Sequence, residues 1–158
     1  GGLPVSRIVL MNGEEISRPD QVEVGLRVSD KSHLLREVSR RAASAVSLDP
    51  KVILDALLAR EYLGSTGFGN GFALPHARLN ILVDAFALFV RLARPIDFAA
   101  IDGQAVDLVI LLLTPAADAN KHLATLAALS RPFRDPRLLQ QLRQAPDAEA
   151  TYRLRSSA

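Results

Sequence analysis

Two runs, Ala85 to Leu92 and Val106 to Leu113, are apolar with almost no interruption. A strand with one wet face alternates apolar and polar residues, whereas a strand covered on both faces has no reason to alternate. Both runs therefore read as interior strands, and a sheet that contains them needs helices on each side. A third strand is expected over residues 22–28, where Val22, Val24, Leu26 and Val28 alternate with Glu23, Gly25 and Arg27.

Helices to cover the sheet are present. Ser29, Asp30 and Ser32 are capping residues, followed at helical spacing by Leu34, Leu35, Val38, Ala42, Ala45 and Val46, which predicts a helix over 32–46. Asp49-Pro50 is a cap and first-turn pair, and Gly64 supplies a stop, so a second helix is expected over 50–63. Asp118 or Asn120 caps a third helix carrying Leu123, Leu126, Ala127 and Leu129, with Pro132 disturbing its end. Asp135-Pro136 opens a fourth helix through Leu142, and a last one is expected over 147–154. Ile96, Phe98 and Asp102-Gly103 suggest a short strand and a tight turn, and residues 7–11 a further short strand. Strands mix with helices along the whole chain without a repeat or a linker. The fold class expected is a single-domain α/β sandwich, a mixed sheet flanked by helices, over 21–155, after a poorly defined segment 1–20. Gly1-Gly2, standing without a methionine, reads as a remnant foreign to the natural chain.

Composition removes several function classes. Lys and Arg number 19 against 17 Asp and Glu, the cations are scattered, and aromatic residues make up only 5%. That is not the basic stripe with stacking aromatics of a nucleic-acid binder. There are no cysteines, so disulfides, thiolate metal sites and cysteine nucleophiles are out, as in a chain kept in a reducing compartment. No apolar run approaches the roughly 18 to 20 residues of a membrane span. A cytoplasmic protein without membrane insertion is expected.

Chemistry is concentrated around one segment. Gly64 to Gly71 holds four glycines in eight residues, a backbone too permissive for helix or ordinary strand, and it leads into Phe72, Leu74 and Pro75-His76, at most an edge strand or a strand end. Gly64 and Gly69 have Walker A spacing, but Asn70-Gly71 stand where Lys and Ser or Thr are required. The segment also follows a helix and precedes a strand, the reverse of a dinucleotide turn. The histidine itself then becomes the candidate group. A neutral imidazole is nucleophilic when one ring nitrogen is held as a donor and the other is free, and Pro75 restricts the backbone that aims His76. His122 falls in the first turn of its helix, where an anion is favoured, and is otherwise a solvent-exposed residue near a helix start. Arg60, four residues before Gly64, can offer a planar fork to phosphate or to a loop carbonyl, or can simply be solvated. Glu61 is equally open to both readings, and His33 has no nearby partner in sequence and reads as a surface residue.

The run Arg60-Glu61-Tyr62-Leu63-Gly64-Ser65-Thr66-Gly67-Phe68-Gly69-Asn70-Gly71-Phe72-Ala73-Leu74-Pro75-His76 resembles the active-site signature of the fructose/mannitol/nitrogen class of EIIA phosphotransferase domains. The likeness continues through Pro95-Ile96-Asp97-Phe98, Ile101-Asp102-Gly103-Gln104 and His122-Leu123, and its form is most like the nitrogen-regulatory branch. The resemblance implies a phosphocarrier of the phosphoenolpyruvate-dependent system, without a cofactor or metal. It implies phosphorylation of His76 by an HPr-like carrier and histidine-to-histidine transfer, with His122 and Arg60 as active-site partners. Gly67, Gly69, Asn70, Gly71 and Pro75 would support the loop and the phosphate. A transporter, a sensor kinase or an EIIB component would be the downstream partner. Phe68, Phe72 and Leu74 replace smaller β-branched residues, and Ala77 replaces the glycine that commonly follows the histidine. Three other readings stand beside this one: a sugar-specific EIIA, a phosphorylation-switched binding module without onward transfer, and a metal hydrolase using His76 and His122, which lacks a third ligand at suitable spacing.

Overall fold

The computed structural model describes residues 21–117 and 119–147. The elements are β1 (Gln21–Leu26), α1 (Lys31–Val46), α2 (Pro50–Tyr62), β2 (Gly67–Gly69), β3 (Phe72–Ala73), β4 (His76–Leu79), β5 (Phe86–Ile96), β6 (Val106–Pro115), α3 (Ala119–Ser130) and α4 (Pro136–Gln144). The expected strand at 7–11, the cap at Asp118 and residues 148–154 of the last helix lie outside the described residues.

The two apolar runs are the centre of the sheet, as their lack of alternation requires. β5 and β6 pair antiparallel, β1 adds parallel to β5, and β3 and β4 both add parallel to β6, with β2 antiparallel to β3 outside them. Each face of β6 feeds a different core. Val109, Leu111 and Leu113 pack with Leu34, Val38, Ile53 and Leu57 of α1 and α2. Leu108, Ile110 and Leu112 pack with Leu129 of α3 and Leu138, Leu139 and Leu142 of α4. The caps expected from sequence hold the helices: Asp30 accepts from His33 N, Asp49 from Lys51 N and Asp135 from Arg137 N. Pro132 turns the end of α3 into a 3-10 turn, Arg131–Arg134.

Four expectations change. The glycine-rich segment is not all loop, because Gly67–Gly69 forms β2 and pairs with β3. Glycine is needed at 67 for close approach rather than for mobility: a Cβ there would lie 2.8 Å from the Ala100 Cβ. The edge strand or strand end expected at Phe72 to His76 is two short pieces: β3 stops at Ala73, and His76 begins β4, an edge strand that runs beside Leu112 to Pro115 of β6. β3 and β4 are one line of chain along β6, interrupted at Leu74-Pro75, where proline has no N–H for the ladder. No separate strand forms at Ile96 to Phe98; Ile96 closes β5 opposite Val106, and Phe98 is fully buried outside the sheet. β1 ends at Leu26, two residues early, before the turn that caps α1.

Candidate functional site

The interruption between β3 and β4 sets the position of His76. Pro75 O accepts from Leu112 N at 3.0 Å, so the chain is tied to β6 immediately before the histidine. His76 is 8% exposed, and its Nδ1 lies 2.8 Å from the Leu74 carbonyl oxygen. A carbonyl oxygen can only accept, so Nδ1 carries the proton. On the other side of the ring Arg60 Nε points at Nε2 from 3.2 Å. A guanidinium can only donate, so Nε2 presents its lone pair. Two partners of fixed character thus fix the tautomer: a protonated Nδ1 and a nucleophilic Nε2.

Burial lowers the His76 pKa below the ordinary 6.5. The Leu74 carbonyl and Glu61 oppose that shift, and the Arg60 charge adds to it. The shift favours the neutral ring.

His122 comes to the same place from α3. Its ring centroid is 5.6 Å from that of His76, it is 8% exposed, and its Nδ1 is hydrogen-bonded to the Thr114 hydroxyl at the end of β6. The exposed reading of His122 is thus corrected: the helix turns it inward over the end of the sheet. Burial, then His76 and Arg78, press its pKa down to about 4. Arg78 follows His76 by two residues on β4 and lies opposite Thr114 in the ladder, so both point to the same face.

Arg60 is not merely solvated. While Nε faces His76, its NH1 donates to Gly64 O at 2.8 Å, which ties the end of α2 to the start of the glycine segment. Glu61 fastens the next stretch of the same segment, since its carboxylate accepts from Thr66 N at 3.1 Å, from the Thr66 hydroxyl and from Lys31 Nζ at 2.9 Å.

The remaining expected residues divide. Gly67 N donates to Ser65 Oγ within the segment and Asn70 N to Asp102 Oδ2 outside it, so both N–H groups are already engaged in this structure. Asn70 and Gly71 take positive φ values of 57° and 80° at the tip of the β2–β3 hairpin, and Arg143 of α4 clamps that tip through Asn70 O at 2.6 Å while pairing with Asp107. No hydrogen bond joins Gly67, Gly69, Asn70 or Gly71 to His76, His122 or Arg60 among the described residues. Phe72 is core, stacked on Phe133 at 4.5 Å, Leu74 and Ala77 are buried, and Phe68 is 47% exposed. His33 does have a partner, since Ser29 N donates to its Nδ1 at 3.1 Å, and it stays a surface residue.

Sequence reasoning missed Thr114. Its signal was weak but present: a hydroxyl placed directly after an unbroken apolar run, at the end of an interior strand. It also missed Lys31, whose role follows only from a tertiary contact with Glu61.

The family model for the phosphoenolpyruvate-dependent sugar phosphotransferase system, EIIA 2, matches residues 15–157. The chain belongs to this family. A nitrogen regulatory protein of Bradyrhizobium diazoefficiens is 41% identical over 138 residues, covering 87% of this chain and 90% of that one. The crystal structure of the nitrogen regulatory protein IIA-Ntr from Neisseria meningitidis superposes with a TM-score of 0.79 at 32% identity, over 83% of this chain and 90% of that one. An NMR structure of the Escherichia coli mannitol enzyme IIA with phosphorylated enzyme IIB shares the fold, with a TM-score of 0.70 at 17% identity over 82% and 89%. This EIIA chain is a phosphotransferase-system phosphocarrier on the nitrogen-regulatory branch, and the sugar-specific alternative is not favoured. Among the described residues no helix is long and apolar enough to cross a membrane.

Proposed function

We propose that this EIIA protein takes a phosphoryl group from the phosphohistidine of an HPr-like carrier onto Nε2 of His76, in the cytoplasm, and that the charge so gained switches its binding to a regulatory target. The observation that carries the reading is the fixed tautomer: Leu74 O accepts from Nδ1, which leaves the Nε2 lone pair for attack on phosphorus.

The donor's P–N bond breaks as the new P–Nε2 bond forms. The electron pair returns to the donor imidazole, and the His76 ring becomes cationic, with the proton still on Nδ1 and hydrogen-bonded to Leu74 O. Phosphoryl transfer of this kind needs positioning and charge compensation more than acid–base chemistry. Arg60 rotates from Nε2 to the phosphoryl oxygens, and His122, neutral with its Nδ1 engaged by Thr114, offers its other nitrogen from the opposite side. A protein donor fits the surface, because exposed apolar side chains adjoin the site residues in sequence: Tyr62 and Leu63 after Arg60, and Leu123 after His122. Phosphorylation adds about 1.5 to 2 negative charges at pH 7, enough to make or break a docked complex.

Incubation with phosphoenolpyruvate, enzyme I and an HPr-like carrier should label the protein with one acid-labile phosphate. A His76→Ala variant that takes up the same label would overturn the assignment.

A further inference from the structure

Glu61 is a nearly buried acid that the transfer chemistry does not use. Its side chain is only 6% exposed. A carboxylate removed from water is costly unless donors surround it, and this one has three: Lys31 Nζ and Thr66 N on Oε1, and the Thr66 hydroxyl on Oε2. Lys31 is itself held, with Nζ 4.3 Å from the centre of the Phe98 ring. Thr66 is completely buried. Its carbonyl oxygen accepts from Leu74 N at 3.0 Å, and the carbonyl of Leu74 is the group that accepts from His76 Nδ1. A continuous line of polar contacts thus runs from Lys31 through Glu61, Thr66 and Leu74 to the imidazole. The line matters because Leu74 sits in the break between β3 and β4, where Pro75 supplies no N–H. The anchor on Leu74 N comes from Thr66 instead.

We infer that Glu61 and Thr66 are positioning residues for phosphoryl transfer, which hold the Leu74 carbonyl in place and thereby keep His76 in the tautomer that leaves Nε2 free. The inference rests on the reading of His76 as the phosphoryl acceptor. Its chemical basis is specific to transfer. When the P–Nε2 bond forms, the ring gains positive charge, and the hydrogen bond from Nδ1 to Leu74 O becomes charge-assisted and stronger. A carbonyl free to move would lose most at that moment. The Glu61 charge acts in the same direction, since it favours a cationic His76 ring.

The test pairs two readouts on Thr66→Val, Thr66→Ser and Glu61→Gln: single-turnover phosphorylation by the labelled carrier, and the tautomer of His76 from imidazole 15N shifts. Thr66→Val deletes the hydroxyl, and Glu61→Gln leaves one acceptor oxygen where three donors converge. Both should slow transfer at least tenfold and give His76 a mixture of tautomers, while Thr66→Ser keeps the rate within about twofold and the single Nδ1-protonated form. If Thr66→Val does not fold, Glu61→Gln decides alone, and if neither folds, Lys31→Met, which removes the lysine cation from Glu61, takes their place with the same expectation. A folded Thr66→Val, Glu61→Gln or Lys31→Met variant that transfers at the parental rate, or that keeps a single His76 tautomer, overturns the inference while leaving His76 as acceptor. A parent protein that takes no phosphate on His76 overturns the acceptor reading, and the transfer role of Glu61 and Thr66 with it; the 15N shifts then still show whether they fix the ring.

Discussion

Arg60 Nε lies 3.2 Å from Nε2 of His76, the nitrogen to which the proposed transfer assigns the attack on phosphorus. Under the proposed transfer the arginine occupies the place the phosphoryl group would take, so its cation would already be at the reaction centre and would need only to swing aside. Its NH1 contact with Gly64 O gives that movement a pivot.

Arg60→Ala should therefore slow phosphorylation by about 10- to 100-fold, since a charge-assisted donor to the transferred group is lost, worth roughly 1.4 to 3 kcal/mol in the barrier. Arg60→Lys should recover only part of it, because an ammonium cannot hold Gly64 O and a phosphoryl oxygen with one planar fork. Single-turnover rates with a labelled carrier check both, and a lysine variant at the parental rate would show that the fork is unnecessary.

His122→Ala should reduce the transfer rate while leaving the acceptor in place, so that full labelling is reached slowly. Thr114→Val should act in the same direction and more weakly, by freeing the His122 ring to turn. Equal rates in all three proteins would return His122 to a packing role.

His76 and His122 should both titrate below 6.5 in an NMR pH series, His122 near 4. The sign for stability follows from linkage. In the unfolded chain His122 binds its proton near 6.5, and in the folded chain only near 4, so between these values the unfolded state holds more protons. Stability should be level above about pH 6.5 and fall as the pH drops toward 4. Urea melts at intervals across that window check it; His122→Gln should flatten the slope, and an unchanged slope would contradict the assignment.

At the far side of the hairpin, Arg143→Ala should cost about 1 to 3 kcal/mol, as a partly buried guanidinium is lost from Asp107 and from the Asn70 carbonyl. Chemical denaturation reads the cost. Transfer should change less than in Arg60→Ala, because Arg143 reaches the hairpin tip and not the histidines.

Much of this was visible in the sequence, for definable reasons. Val106 to Leu113 announced an interior strand because nothing polar interrupts it beyond Asp107, and Asp49-Pro50 and Asp135-Pro136 marked helix starts because capping is local. The line from Glu61 to His76 was not visible: it depends on Thr66 and Leu74 being eight residues apart yet hydrogen-bonded, which only the β2–β3 hairpin brings about. The glycines misled for a related reason. Gly67 looked like part of a backbone too permissive for a strand, but Ala100, thirty-three positions later, leaves no room for a side chain there. His122 could be placed near a helix start, whereas its inward direction depended on Thr114 and on how α3 crosses the end of β6.

The central claim is a phosphoryl group on one nitrogen of one residue. The most direct measurement is 31P NMR of the protein after phosphorylation by the carrier, held at alkaline pH where phosphohistidine persists. The account predicts one resonance of an Nε2-phosphorylated imidazole, about one per chain, absent from His76→Ala. A signal from an Nδ1-phosphorylated ring, or a phosphohistidine signal that survives His76→Ala, would contradict it.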